Sequence, residues 1–265
     1  MSNLWMPLAA GLVLMMVLML IAWHVQRVTG DAAIVDVAWT LGLGLLAVLA
    51  LLFFSDGLVA RRWLVGSLIT LWSIRLGTHL LRRMVGNAED ERYRRLKAGW
   101  GDWAQLRLLL FYQSQALVAP LFALPMLVAG NSLAPLGPWD AAGCALGTCA
   151  IVFEWQADQQ LSQFRQNSAH RGRVCDVGWW RYSRHPNYFF EWVHWCSYVL
   201  FAIHAPQGWL TLLTPLAIWY FLCFVTGIPP AEAQALASRG DAYREYQQRT
   251  SPFVPWFPRQ ARKNA

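Results

Sequence analysis

WMPLAAGLVLMMVLMLIAW, Trp5–Trp23, runs for nineteen residues without a charge, and its reading decides the fold class. At the rise of an α-helix such a run covers about 28 Å, the thickness of the hydrocarbon core of a bilayer. It lacks a basic leader and a small-residue cleavage site, so it is read as a retained span rather than a removed signal. Working outward, comparable apolar runs lie at 32–54, 60–82, 107–130, 139–163, 187–205 and 208–228. The chain is therefore expected to be an all-α, polytopic membrane protein of about seven transmembrane helices, ending in a cytosolic helical segment. The fifth run and the third carry charge toward their C-terminal ends, which is tolerable only where the charge faces protein or water.

Composition agrees. Of 265 residues, 56% are hydrophobic and only 14% charged, so an ordinary soluble globule is excluded. Sixteen Trp and eight Tyr suit interfacial anchoring and the walls of a site. The five Cys are scattered, with no CxxC and no His at ligand spacing, so no metal is expected. GxGxxG after a strand, GxxxxGK[ST], HExxH and GxSxG are all absent. No nucleic-acid motif accompanies the net charge of +7, which instead follows membrane topology and can hold the chain against anionic headgroups.

The basic residues alternate by loop. Arg83, Arg92, Arg94, Arg95, Lys97 and Arg107 fall on the side of Arg165, Arg171, Arg173, Arg181 and Arg184, and of the C-terminal Arg239, Arg244 and Arg249. The opposite loops, 131–140 and 204–208, contain no Lys or Arg, and only Arg61 and Arg62 break the pattern. The rule that positive loops stay inside then places the N-terminus outside and the C-terminus in the cytoplasm, and a bacterial inner membrane is the expected location.

With that orientation the polar residues of the spans gather in the cytoplasmic half. Asp36, Arg75, His79, Tyr112, Glu154, Asp158, Asn187 and Glu191 all belong to this set. Arg75 and His79 stand four apart, as do Glu154 and Asp158, and Asn187 and Glu191; Asp158 and Arg165 stand seven apart. Each helix thus presents a polar stripe on one face. One reading is a salt-bridge network that merely orders the helices. The other is a ligand site: Arg165, Arg173, Arg181 and Arg184 outnumber the buried acids near them, and Arg forks suit a phosphate-bearing ligand.

The most specific signal is RHPNYFFEW, Arg184–Trp192. Pro186 suits the first turn of a helix, Asn187 and Glu191 share a face, and Arg184 and His185 sit where a helix N-terminus can receive an anion. This stretch resembles the C-terminal domain of the membrane steroid 5-alpha-reductase family, particularly its bacterial members. The resemblance extends over roughly the last 120 residues, through Asp158, Arg165, Arg173, Asn187 and Glu191 to the ending RGDAYREYQQRTSPFVPWFP.

The resemblance implies an NADPH-dependent reductase acting on an activated carbon–carbon double bond of a steroid-like or other lipid substrate, within a single membrane-embedded domain over 1–265. Residues 1–106 would supply substrate-side helices and a basic cytosolic loop, and 107–265 the cofactor-binding part. Its implied cofactor contacts are Arg75, His79, Glu154, Asp158, Arg165, Arg173, Arg184, His185, Asn187, Tyr188, Glu191 and Tyr246. Arg165 and Arg173 would meet phosphates, Glu154 and Asp158 ribose or adenine, and Asn187 and Glu191 the nicotinamide carboxamide. The family's Gln-Glu pair is missing from the first three spans, and Trp72 stands near the expected Tyr. The proton donor or carbonyl-polarising group is therefore sought in Asp36, if protonated, or Tyr112. No protein partner is expected. RHPxY also occurs in S-adenosylmethionine-dependent isoprenylcysteine carboxyl methyltransferases, which leaves a membrane methyltransferase as the alternative. Those enzymes usually carry a small residue where this chain has Phe190, and an acidic pair where it has only Glu232. A non-catalytic lipid-binding protein is the third reading.

Overall fold

The computed structural model describes residues 4–85 and 89–259. It is all-α, with a single isolated bridge, Ser183 to Ser251, as the only β pairing among the described residues. The helices are α1 (Trp5–Thr29), α2 (Ile34–Phe53), α3 (Val59–Met84), α4 (Glu91–Trp100), α5 (Ala104–Gly130), α6 (Pro138–Gln166), α7 (Pro186–Phe201), α8 (Leu213–Tyr220), α9 (Ile228–Arg239) and α10 (Asp241–Arg249).

Among the described residues, five segments are long and apolar enough to cross a membrane: α1, α2, α3, the run Glu91–Gly130 through α5, and the run Gly208–Arg239. The protein is thus of multi-pass membrane type. The two other expected spans also form helices. At 29 residues, α6 is long enough, but Asp140, Glu154, Asp158 and Arg165 make it polar, and α7 has only 16 residues. The expected span at 208–228 is not one continuous α-helix. Its α8 passes into a π turn, Phe221–Val225, and stops at Gly227, where an added Cβ would sit 2.5 Å from the Leu222 carbonyl oxygen. Pro229 and Pro230, which cannot donate to a preceding turn, then open α9.

Backbone proximity divides the chain into two compact units, with boundaries inside α6, inside α7 and just before α8. Unit 1 comprises 1–144 and 198–211; unit 2 comprises 145–197 and 212–265.

Unit 1 is built on α1, α2, α3 and α5. Met15, Met19, Leu43, Ile69, Trp72, Leu108 and Met126 fill its interior, while Leu20, Leu71 and Leu121 face outward as lipid-exposed apolar residues. Small residues set the crossing of α2 on α3. A Cβ at Gly44 would lie 2.3 Å from Ser73 Oγ, and that hydroxyl donates to the Thr40 carbonyl at 2.9 Å, so the two backbones approach as only glycine permits.

The two arginines that break the charge pattern are structural. Arg61, 1% exposed, donates to both oxygens of Asp140 at 2.6 and 3.0 Å, and to the carbonyls of Ser132, Ala134 and Pro135. Its charge is neutralised inside the protein. Arg62 donates to the Leu51 and Leu52 carbonyls at 2.8 and 3.1 Å and so caps the last turn of α2.

The basic loop after α3 contains a helix of its own. Asp90 caps α4 by accepting from the Arg92 amide at 3.0 Å. Arg83 and Arg92 hold its carboxylate, Glu91 pairs with Arg94 and Arg95, and Lys97 meets Glu89 at 2.6 Å. Many of the loop's cations therefore have acidic partners close by. Asp90 itself, despite partial burial, is held below the usual carboxylate range by hydrogen bonds from Arg92.

In unit 2 the turn Gly178–Arg181 is tied to α6. The Trp180 indole donates to the Ala157 carbonyl at 2.8 Å, and Gln160 and Gln156 accept from the Trp179 amide and indole. The chain's end then wraps the residues just before α7. Ser183 Oγ donates to the Phe253 carbonyl at 2.7 Å, the Arg184 amide to Ser251 O at 2.8 Å, and the Trp256 amide to Tyr182 O at 2.9 Å.

Candidate functional site

The centre of unit 2 is the start of α7, where Pro186 opens the helix and sets the face carrying Asn187 and Glu191. Asn187 Nδ2 donates to Asp158 Oδ1 at 3.1 Å, so two residues 29 apart in sequence are brought together from α7 and α6. Asp158 and Glu154 are buried on one face of α6. Glu191 lies one turn beyond Asn187, its Oε1 accepting from the Trp195 indole at 2.8 Å.

Arg184 and His185 look the other way, toward α9 and the C-terminal segment. Arg184 donates through Nε to Glu232 Oε1 at 2.6 Å and through Nη1 to the carbonyls of Gln247 and Thr250. His185 Nε2 lies 3.4 Å from the same carboxylate oxygen, and its ring stacks on Tyr188 at 5.4 Å between centroids. Gln247 Nε2 donates to Glu232 Oε2 at 2.8 Å. Sequence reasoning gave Glu232 no role, yet it joins three elements. The signal was present: Arg184 needs an acid, and Glu232 is the acid of PPAEAQAL.

Tyr246 donates its hydroxyl to the Trp180 carbonyl and approaches Ser183 O at 3.3 Å. Burial pushes its phenol far above the ordinary range, so it remains a donor at any physiological pH. Arg184, His185, Tyr188 and Tyr246 thus form a wall fastening the chain's end to the start of α7.

In the loop between α6 and α7, Arg173 is less engaged. Arg173 is exposed, and its guanidinium makes no hydrogen bond or ion pair among the described residues; only its backbone takes part, accepting from Arg239 Nε at 3.0 Å. Arg165, also exposed, closes the last turn of α6. The arrangement offers buried acceptors on α6, an amide with both donor and acceptor on α7, and outward guanidinium groups. Such a set can bond hydroxyl, amide and anionic groups of a ligand.

Unit 1 holds the remaining expected residues. Asp36 Oδ1 accepts from the Tyr93 hydroxyl at 2.8 Å, and Oδ2 lies 3.2 Å from Arg92 Nη2. Tyr112, fully buried, donates to the Ala32 carbonyl at 2.7 Å. Arg75 and His79 stand half-buried on one face of α3, near the wholly buried Trp72 in sequence. Tyr93, unremarked in the sequence, ties α4 to α2 through that hydrogen bond, as Arg92 does through its own contact with Asp36.

These features define a multi-pass, all-α membrane protein with a polar, cation-flanked cluster at the start of a C-terminal helix. The chain belongs to the family described as "Protein of unknown function (DUF1295)", whose model matches residues 22–250, a family related to steroid 5-alpha-reductase-like proteins. It is also similar to a Schizosaccharomyces pombe protein described as "Uncharacterized protein C594.04c", with 29% identity over 278 residues covering 94% of this chain and 80% of that one. No solved structure matches.

Proposed function

We propose that the protein is a membrane-embedded oxidoreductase that binds NADPH in unit 2 and reduces an activated double bond of a lipid or steroid-like substrate. The observation that carries this reading is the Asn187–Asp158 hydrogen bond, which unites the two helices bearing the expected cofactor series. NADPH supplies the hydride when bound.

The chain's own residues bind and aim. Arg173, with Arg165, meets phosphate charge that a lipid environment cannot neutralise. Asp158 and Glu154 accept from hydroxyl or amine groups of the ribose and adenine. Asn187 and Glu191 orient the carboxamide, and the Arg184–Glu232–Gln247 clasp holds the wall behind them. For Asp36 or Tyr112 to polarise a substrate carbonyl, each must exchange a bond it already makes, with Tyr93 or with the Ala32 carbonyl.

A second reading has one observation in its favour: Glu232, the acid of the C-terminal segment, reaches Arg184 and His185 of the RHPxY motif that membrane methyltransferases share. Titration of detergent-purified protein with NADPH and, separately, with S-adenosylmethionine distinguishes the two. The reductase reading expects binding of the first at micromolar concentration or below and none of the second. The reverse result replaces it.

A further inference from the structure

The outer faces of α2 and α3 in unit 1 enclose a groove of about 600 Å³, lined by Val48, Leu51, Leu52, Trp63, Gly66 and Leu71, with Arg62 at one end. From Arg62 to Leu71 it follows α3 for about 13 Å, from the helix end into the apolar span. Its walls are mostly apolar, with Ser67 and Thr70 among them, and Trp63, 65% exposed, stands at the same end as Arg62, where an indole suits headgroup level.

Arg62 itself is only partly used. Two of its five N–H groups cap α2 through the Leu51 and Leu52 carbonyls. The others, including both on Nη1, take no partner among the described residues. Arg61 beside it is neutralised by Asp140, whereas Arg62 has no carboxylate within ion-pair distance among the described residues; the nearby Asp56 makes no described ion pair. The first-turn amides of α3 add further positive field. A cation with spare donors at the rim of an apolar groove, at the end of two membrane helices, complements an amphiphile with an anionic head.

We infer that this groove is a binding site for an anionic phospholipid, its phosphate on the Arg62 guanidinium and an acyl chain along α2 and α3. Gly66 keeps the groove open. A Cβ added there would meet Leu51 Cδ1 at 3.5 Å, an ordinary contact, so a side chain at this position enters the groove without a backbone clash at its Cβ. The inference is independent of the reductase reading, because it concerns a lipid of the bilayer rather than a substrate.

The test is native mass spectrometry of the full chain, delipidated in detergent and incubated with phosphatidylglycerol or phosphatidylcholine of identical chains. The wild type should retain phosphatidylglycerol at least fivefold more than phosphatidylcholine. Arg62→Gln should reduce that retention to the phosphatidylcholine level, Arg62→Lys should preserve the preference by keeping the charge, and Gly66→Leu should diminish retention of both lipids. Equal retention of the two lipids by the wild type, or unchanged phosphatidylglycerol retention in Arg62→Gln or Gly66→Leu, overturns the inference. A loss in Arg62→Lys as large as in Arg62→Gln does so too, since it would trace the effect to the α2 cap.

Discussion

Asp140→Ala should be among the most damaging single substitutions outside the proposed cofactor site. All five N–H groups of Arg61 are used, two on Asp140 and three on backbone carbonyls, and both partners are at least 95% buried. Asp140 Oδ2 also accepts from the Gly137 amide at 2.9 Å. Removing the carboxylate strands a buried guanidinium and an amide together, and breaking such a pair from one side costs about 3–5 kcal/mol. For a chain of this size each kcal/mol moves the midpoint by about 2–4 °C, so thermal unfolding in detergent should fall by about 6–20 °C. Arg61→Ala should be similarly harmful, and the double variant should lose at least about 2 kcal/mol less than the sum of the two singles, because the partners act as one unit. A midpoint within about 3 °C of wild type for Asp140→Ala, or strictly additive losses, would refute the argument that the pair compensates a buried charge.

Glu232→Gln should loosen the C-terminal segment, since Arg184, His185 and Gln247 lose their common carboxylate; amide exchange over 250–257 should accelerate while that of α1 stays unchanged. Glu191→Gln should weaken NADPH binding more than tenfold, about 1.4 kcal/mol, with a smaller change in melting temperature measured without cofactor; early melting with normal binding would reduce Glu191 to a structural role. Cys175, buried and with its thiol pushed up by burial, should stay protonated and resist alkylation at pH 8 until the protein is denatured, which peptide mass mapping reads directly. A reporter fused near Leu136 should read as non-cytoplasmic, and a cytoplasmic readout would reverse the orientation taken from the loop charges.

Helix positions were legible because a bilayer imposes length and apolarity at once. The uncharged run at Trp5–Trp23 lies inside α1, and the other six runs overlap α2, α3, α5, α6, α7 and the α8 region. The break after α8 was also written in the residues, as Gly227-Ile228-Pro229-Pro230, but a hydropathy window averages over such punctuation. Arg61 and Arg62 stood out as exceptions because counting cations ignores what each is bonded to: Asp140 for Arg61, and the carbonyls at the end of α2 for Arg62. The same blindness hid α4, whose basic letters conceal an inward Tyr93 and a capping Asp90. At the candidate site, stripes four residues apart identified Asp158, Asn187 and Glu191, since helical spacing is local. The Arg184–Glu232 pair spans 48 positions, and no local pattern encodes a contact at that distance.

If unit 2 binds NADPH through its exposed guanidinium groups, Arg173 is the residue to change first, because its side chain has no described partner whose loss could disturb the fold. NADPH titrated into detergent-purified wild type and Arg173→Ala, each checked by thermal unfolding, gives the comparison. Expected are binding at micromolar concentration or below for the wild type, at least tenfold weaker binding for Arg173→Ala, and matching melting temperatures without cofactor. Equal NADPH affinity for the two proteins, or no binding by a well-folded wild type, would contradict that mode of binding.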